Sequence, residues 1–293
     1  MDEAVRLLNA LLMLALPLAL GVFLAARLHV GWRLFAVGAA TFIASQVAHI
    51  PFNGWVLAPA LQAAGLASAE DGLPLILLGL AYGLSAGIFE EGARYLAYRF
   101  WIKDARRWRE AVMYGAGHGG TEAIILGALA VYAFFQLVAL RDTDLASIVP
   151  PGYLDLARAQ IETYWAAPWY EALAGAMERI LALCVQIGLA VLVLQAFTRR
   201  NLLWLAGAIG GHALVDAMAV VGSVRGWSIF AIEGLVAVAA LLSLAAIFAL
   251  KPRGGEAPAG TATPAPALAG LSGREESLTD LPLERLDDSR YTG

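Results

Sequence analysis

The sequence GIFEEGARYLAYRFW, residues 87–101, decides the fold because it places charge at the end of an apolar run. The run is almost free of charge from Gly72 onward until Glu90, Glu91 and Arg94 follow one another among leucines, alanines and aromatics. Ionisable side chains deep in a membrane span are rare and usually face a polar interior. The stretch therefore predicts either a helix that has reached the headgroups or charges that face inward and take part in chemistry.

The composition indicates a membrane protein. The chain has 293 residues, of which 60% are hydrophobic and 15% are charged, whereas soluble domains are typically about 45–50% apolar and about 25% charged. Several apolar stretches reach the ~20 residues that span a bilayer. The net charge of −4 without a basic stripe gives no indication of a nucleic-acid partner. The single cysteine, Cys184, excludes an intramolecular disulfide and a cysteine-rich metal site.

We predict an all-α fold, a polytopic membrane helical bundle of about seven transmembrane helices with a disordered C-terminal tail. Residues 1–250 form the transmembrane domain, with the site region at about 73–222. Residues 251–293 form the cytoplasmic tail, because their Pro-, Ala- and Gly-rich sequence lacks periodicity and cannot bury a core. The first apolar run lacks the basic start of a signal peptide and is interpreted as a retained span. The predicted spans are about 5–27, 33–53, 73–99, 109–140, 169–198, 201–222 and 227–250.

Basic residues predict the orientation, since cytoplasmic loops carry an excess of Lys and Arg. Eleven basic residues lie in the turns on one side of the predicted spans and four lie on the other side. We therefore expect a multi-pass protein of the plasma membrane with its N-terminus outside and its C-terminus in the cytoplasm. The larger set is Arg27, Arg33, Arg99, Lys103, Arg106, Arg107, Arg109, Arg199, Arg200, Lys251 and Arg253, and the smaller is Arg6, Arg141, Arg158 and Arg225.

Two later spans carry polar pairs at helical spacing. His118 and Glu122 are one turn apart in the fourth span, and His212 and Asp216 are one turn apart in the sixth. Residues four apart are neighbours on a helix surface, so each pair presents two polar groups to one point. Counted along their spans, these pairs and Glu90 reach a similar depth in the cytoplasmic half of the bilayer. We therefore predict that all five side chains surround one cavity.

Glycine spacing supports this convergence. A G-x-x-x-G pattern accompanies each polar cluster, and such a pattern lets two helix backbones approach closely. The three patterns are Gly83 with Gly87, Gly115 with Gly119, and Gly207 with Gly211.

Structural roles account for several of the other polar residues. Arg94 is expected to neutralise Glu91 in a buried ion pair, which is a sufficient reason for both charges. Glu178 and Arg179 are adjacent and point to different faces of their helix, so we expect a structural role for them as well. His49, near the outer end of the second span, is expected to be a satisfied interfacial histidine.

A buried carboxylate near two histidines favours hydrolysis. Glu90 could take a proton from water, while a histidine and a second polar group hold the oxyanion of a tetrahedral intermediate. A zinc site is an alternative, because His118, His212 and a carboxylate such as Glu122 would make a three-ligand set, although no H-E-x-x-H occurs. Two other functions stay open: a proton-coupled transporter or channel, since buried acids and histidines also mark proton paths, and a non-catalytic sensor or assembly factor.

The segments EEGAR, YGAGH and HALVD resemble the E-E-x-x-x-R, F-x-x-x-H and H-x-x-x-[ND] motifs of the intramembrane proteases of the CAAX-prenyl-protease and bacteriocin-processing superfamily. The YhfC-type branch is the closer match, with PrsW-type proteases as relatives, because SQVAHIP, GHGGTEA and MERILAL also resemble that branch. The resemblance covers residues about 41–220. The motifs are short, and their order on successive helices makes the set specific.

The resemblance implies a helical membrane protease that cleaves a membrane-embedded or membrane-adjacent peptide. In it Glu90 is the base, Glu91 assists or pairs with Arg94, and His118 helps to activate water. His212 and Asp216 would line the oxyanion side. The supporting residues would be Arg94, Glu122, Glu178 and Gln186.

The sequence departs from the pattern at three positions. Arg94 is one residue closer to the glutamates than the motif has it, Tyr114 replaces phenylalanine, and Gln186 stands where the branch is expected to have a histidine. The last change implies altered or lost activity. For the cofactor we favour a metal-independent glutamate mechanism, with zinc as the alternative.

Overall fold

The computed structural model describes residues 2–141 and 143–253 of the chain. The described part is built from ten α-helices, joined by short turns and two 3₁₀ turns. Two π-helical turns, Asn53–Leu57 and Ala97–Trp101, extend the second and fourth helices. The helices are α1 Asp2–Leu28, α2 Trp32–Phe52, α3 Ala58–Ala63, α4 Gly72–Leu96, α5 Trp108–Leu140, α6 Leu154–Ala166, α7 Trp169–Ala172, α8 Ala174–Thr198, α9 Leu203–Val224 and α10 Ile229–Ala249.

Seven helical segments of the described chain are long and apolar enough to cross a membrane, which confirms the predicted all-α bundle. Most bounds differ from the prediction by a few residues. The second span is longer, Trp32–Ala63, because the helix continues through a π-turn into α3. The predicted tail begins at Lys251, and residues 254–293 lie outside the described part of the chain. The orientation and the choice of membrane stay predictions.

Helix α5 packs against α1, α2 and α8. Almost every residue of its first four turns is buried, including Met113, Tyr114 and His118. Helix α4 packs against α2 and α9, and α10 packs on the outer side of α8. The polar site therefore lies where α2, α4, α5, α8 and α9 meet.

Helices α4 and α9 approach each other closely in the site region. A Cβ atom built on Gly83 would lie 2.2 Å from the Ala213 carbonyl oxygen, and one on Gly87 would lie 2.7 Å from the Ile209 oxygen. Rising numbers on α4 meet falling numbers on α9, so the two helices are antiparallel. Their glycine contact confirms the predicted close packing beside the glutamates.

The prediction was wrong for Gly207 and Gly211. A Cβ atom on Gly207 would meet nothing within 4 Å, and one on Gly211 would meet Leu189 at 3.8 Å. The physical reason is that α9 turns a different face, the one that carries Ala213, toward α4. These two glycines lie beside the polar cluster in sequence without bringing two backbones together.

Polar contacts hold the ends of the bundle. Arg33 forms an exposed ion pair with Asp104, with Nη1 2.9 Å from Oδ2. The guanidinium lowers the pKa of the Asp104 carboxyl, chiefly through this hydrogen bond. At the opposite end, Arg6 of α1 donates a hydrogen bond of 2.6 Å to the Ala167 carbonyl oxygen and lies over the Tyr164 ring. This contact fastens the segment that follows α6 to the first span.

Candidate functional site

Glu90 of α4 is held by three neutral side chains. Gln46 Nε2 donates to Oε1 at 3.0 Å, and His118 Nε2 lies 3.1 Å from Oε2. Gln186 Nε2 makes a longer contact of 3.4 Å to the same Oε2. No arginine or lysine of the described residues forms an ion pair with this carboxylate. Glu90 is therefore oriented on both oxygens without a contacting cation to neutralise it.

His118 lies on the buried face of α5, and its side chain is fully buried. Its ring stands edge-on to Phe42, with 5.2 Å between the ring centroids. Nε2 faces Glu90, whereas Nδ1 is buried without a hydrogen-bond partner among the described residues. An unpaired acceptor is less costly in a protein interior than an unpaired N–H. The arrangement therefore favours the tautomer in which Nε2–H donates to an ionised Glu90.

Glu91 is neutralised by the predicted ion pair with Arg94. Arg94 Nη1 lies 2.7 Å from Oε1 and 2.9 Å from Oε2, and both side chains are completely buried. His212 Nδ1 of α9 lies 2.8 Å from the same Oε1. Although Arg94 is also one turn from Glu90, its guanidinium is committed to Glu91. The two adjacent glutamates thus have different surroundings.

Gln186 of α8 connects the two glutamates. Its Oε1 accepts a hydrogen bond from Arg94 Nη2, and its Nε2 donates to Glu122 at 2.9 Å and faces Glu90. An amide can accept on its oxygen and donate twice from its nitrogen. A histidine was expected at this position. The glutamine found there accepts from the Arg94 cation through its oxygen and faces the carboxylates of Glu90 and Glu122 with its nitrogen.

A second ion-pair group lies beside the first. Arg179 Nη1 is 2.6 Å from Glu122 Oε1, and its Nη2 contacts Glu178. The expected structural role of Glu178 and Arg179 agrees with this arrangement, although the two neighbours reach each other instead of pointing apart. Glu122, like Glu91, is neutralised by an arginine.

Asp216 stands at the edge of the cluster. Its Oδ2 is 3.6 Å from His212 Nε2, which is longer than a hydrogen bond, and 39% of its side chain is exposed. The i,i+4 spacing correctly predicted that the two side chains are neighbours. His212 is directed more closely toward Glu91 than toward Asp216.

A cavity of about 690 Å³ lies between α2 and α5 and reaches the cluster. Glu90, Glu122 and Gln46 supply its polar groups, and its remaining lining is apolar. Of the five side chains that were predicted to surround one cavity, Glu90 and Glu122 line this one. His118 and His212 are buried in the packed cluster, and Asp216 lies at its partly exposed edge. The three that do not line the cavity are His118, His212 and Asp216.

Gln46 is the site residue that sequence reasoning missed. It is a polar residue in an apolar span, three residues before His49, and this spacing places both on neighbouring positions of one helix. His49 itself is buried, pairs with Asn53 at 2.9 Å and stacks on Phe89. The expected hydrogen bond is thus present, but the residue lies inside the bundle instead of at an interface, because the helix continues beyond it.

The donor set for the alternative zinc site is not assembled. Within residues 2–141 and 143–253, no three His, Cys, Asp or Glu side chains are grouped as ligands of one metal ion. His118 faces Glu90, His212 faces Glu91, and Glu122 is bound by Arg179. The residues in this arrangement do not fit a three-ligand zinc centre.

Comparison with known proteins agrees with this architecture. Residues 12–239 match the sequence model of a family described as YhfC intramembrane metalloprotease. The uncharacterized membrane protein YhfC of Bacillus subtilis (strain 168) is 35% identical over 246 residues, which cover 80% of this chain and 91% of that protein. No solved structure matches the chain. Because the match extends from α1 into α10 and includes every residue of the polar cluster, the chain belongs to the YhfC intramembrane metalloprotease family.

Proposed function

We propose that the chain is an intramembrane endopeptidase in which Glu90 activates the attacking water. The observation that carries this proposal is the difference between the buried carboxylates. Glu91 and Glu122 are each bound by an arginine, whereas Glu90 is held by neutral groups and lines the cavity. A general base has to be within hydrogen-bond reach of the proton it takes, and a carboxylate already paired with arginine is a poor base.

The proposed reaction uses the two sides of the Glu90 carboxylate. Glu90 takes a proton from water as the water oxygen attacks the peptide carbonyl carbon, and it returns that proton to the leaving amide nitrogen. His118 Nε2–H holds Oε2 and stabilises the ionised carboxylate between the two steps. Glu91, Arg94 and His212 lie behind the cavity, where they orient Gln186 and α4. A direct role of His212 and Asp216 on the oxyanion stays a prediction of the family resemblance.

Gln46 is suited to hold the oxyanion. Its side chain lines the cavity and donates one N–H to Glu90, and its second N–H makes only a long contact of 3.5 Å to Ser45 Oγ. A preorganised donor of this kind is typically worth a factor of about 10²–10³ in kcat. We therefore expect Gln46→Leu to lower cleavage by about that factor.

The cavity indicates the class of substrate. Its outer wall includes Val47 and Ile50, whose side chains are 71% and 66% exposed on the surface of a membrane span. A surface of this kind is covered by lipid, so the cavity opens sideways toward the bilayer. An apolar segment of a membrane peptide could enter between α2 and α5 without passing through water.

The test uses the full chain in liposomes with a set of membrane-spanning peptides, and new peptide termini are identified by mass spectrometry. We expect the wild type and Glu233→Gln to cleave a peptide and Glu90→Gln to cleave none. Glu233 is a matched control because it is a half-buried acid of a span that does not line the cavity. Proton flux across the liposome wall without any cleavage would instead favour a transporter.

The same assay tests whether cleavage requires a bound metal ion. We expect cleavage to persist with chelators present and His118→Ala to impair it without release of a stoichiometric metal. The opposite result would be one bound zinc per chain that is lost, together with cleavage, in His118→Ala and in His212→Ala, with cleavage restored by added zinc. That result would establish a metalloprotease and contradict the glutamate mechanism.

A further inference from the structure

A second cavity, of about 650 Å³, lies between α1, α5, α8 and α10. Its walls are leucines, isoleucines and phenylalanines, and Phe23 and Phe248 are exposed on the outside of the bundle. The groove therefore faces the lipid. It shares no lining residue with the cavity at Glu90.

The charged groups of the groove lie at one end. Arg27, in the last turn of α1, and Lys251, just after α10, both line it and are both exposed. Neither forms an ion pair within the described part of the chain. Lys251 Nζ lies 5.3 Å from the centroid of the Trp108 ring, whose Nε1 donates to the Ile247 carbonyl oxygen at 2.7 Å. Basic side chains beside an interfacial tryptophan are typical of the headgroup level of a bilayer.

The length of the groove matches one acyl chain. From Arg27 its wall extends along α1 to Leu16, a distance of about 16 Å at ~1.5 Å per residue. Half of a ~30 Å hydrocarbon core is about 15 Å. An apolar groove of this depth with two cations at its headgroup end complements a lipid in both shape and charge.

We propose that this groove binds one anionic phospholipid, with an acyl chain against α1, α8 and α10 and the phosphate between Arg27 and Lys251. Basic pockets between transmembrane helices bind lipid phosphates in this way. The site is separate from the proposed proteolytic activity, and its test does not depend on cleavage.

Cys184 makes the proposal testable because it lines the groove and is the single cysteine of the chain. The full chain is placed in phosphatidylcholine vesicles with or without phosphatidylglycerol, and the rate of Cys184 modification by a membrane-permeant maleimide is measured. We expect phosphatidylglycerol to slow the modification at least threefold in the wild type. The double variant Arg27→Gln/Lys251→Gln should lose this protection.

A matched control separates a bound lipid from the general effect of a negative membrane surface. Arg99→Gln/Lys103→Gln removes the same charge from exposed positions outside the groove, on the same predicted membrane face. It should keep the protection. Equal modification rates in both membranes for the wild type, or an equal change in both double variants, would overturn the proposal. Protection independent of phosphatidylglycerol but lost in Arg27→Gln/Lys251→Gln would show that phosphatidylcholine, which also carries a phosphate, fills the groove without selection for an anionic lipid, which also overturns it.

Discussion

The ion pair of Glu91 and Arg94 allows a sharp test of how the site is stabilised. Both side chains are completely buried, and the guanidinium makes two hydrogen bonds of 2.7 and 2.9 Å to the carboxylate. Removing one partner of such a pair typically costs about 3–5 kcal/mol, because the other charge stays buried without compensation. After Arg94→Met, Glu91 keeps the hydrogen bond from His212. The cost should therefore be near the lower end, about 3 kcal/mol.

The double variant gives the decisive comparison. With Glu91→Gln added to Arg94→Met, no uncompensated charge stays buried and the amide oxygen still accepts from His212. The double variant should therefore be more stable than Arg94→Met by about 1–2 kcal/mol, and the coupling energy is larger than this difference by the loss measured for Glu91→Gln alone. Unfolding by sodium dodecyl sulphate in detergent micelles, followed by circular dichroism, measures both values. Arg33→Gln is the control, since an exposed ion pair contributes little to stability.

Additivity would refute this reasoning. If the double variant loses the sum of the two single losses within about 0.5 kcal/mol, the pair is not coupled and the buried contact does not stabilise the fold as proposed. Cleavage measured on the same variants separates structure from chemistry. Recovery of cleavage together with stability would assign Glu91 a positioning role, whereas stability without cleavage would show that its carboxylate takes part in the reaction.

Three further outcomes are expected. Gly83→Val should destabilise the bundle strongly in the same unfolding assay, because its Cβ would overlap a carbonyl oxygen of the facing helix. Gly207→Ala has open space around it and should be neutral or stabilising by up to about 1 kcal/mol. Equal effects of the two substitutions would contradict the packing. Asp104→Asn should remove the contribution of the Arg33 ion pair to stability. In the wild type this contribution is complete above the ordinary aspartate pKa of about 4 and is lost as the pH falls through the lower pKa of the folded state. Unfolding curves of variant and wild type should therefore converge in acid and in high salt, and a constant difference would disprove the linkage. Gln186→Ala should reduce cleavage more than stability, because it frees Glu90 and Glu122 from a shared donor while both arginines keep a carboxylate; an unchanged cleavage rate would remove the amide from the proposed site.

The sequence by itself determined the class of the fold and most members of the polar cluster. Apolar length sets the number of spans, because a bilayer accepts only backbone that satisfies its own hydrogen bonds. A polar residue inside such a span has to find a polar partner, so the spacing of His118 with Glu122 and of His212 with Asp216 was enough to predict that they face inward. The ion pair of Glu91 with Arg94 was predicted by the same argument, although the spacing also allows Arg94 to pair with Glu90.

Tertiary structure alone decided how each helix is rotated and which charges pair. Lipid tails and neighbouring helices are equally apolar, so hydropathy does not show which face of a span meets protein. For that reason the sequence could not show that Gly83 meets a neighbouring backbone whereas Gly207 does not, and it could not show that Gln46 faces the site. Arg94 is close enough in sequence to pair with either Glu90 or Glu91. Its contact with Gln186 of α8 and the approach of His212 from α9 place it on Glu91, and this choice leaves Glu90 without a contacting cation at the cavity.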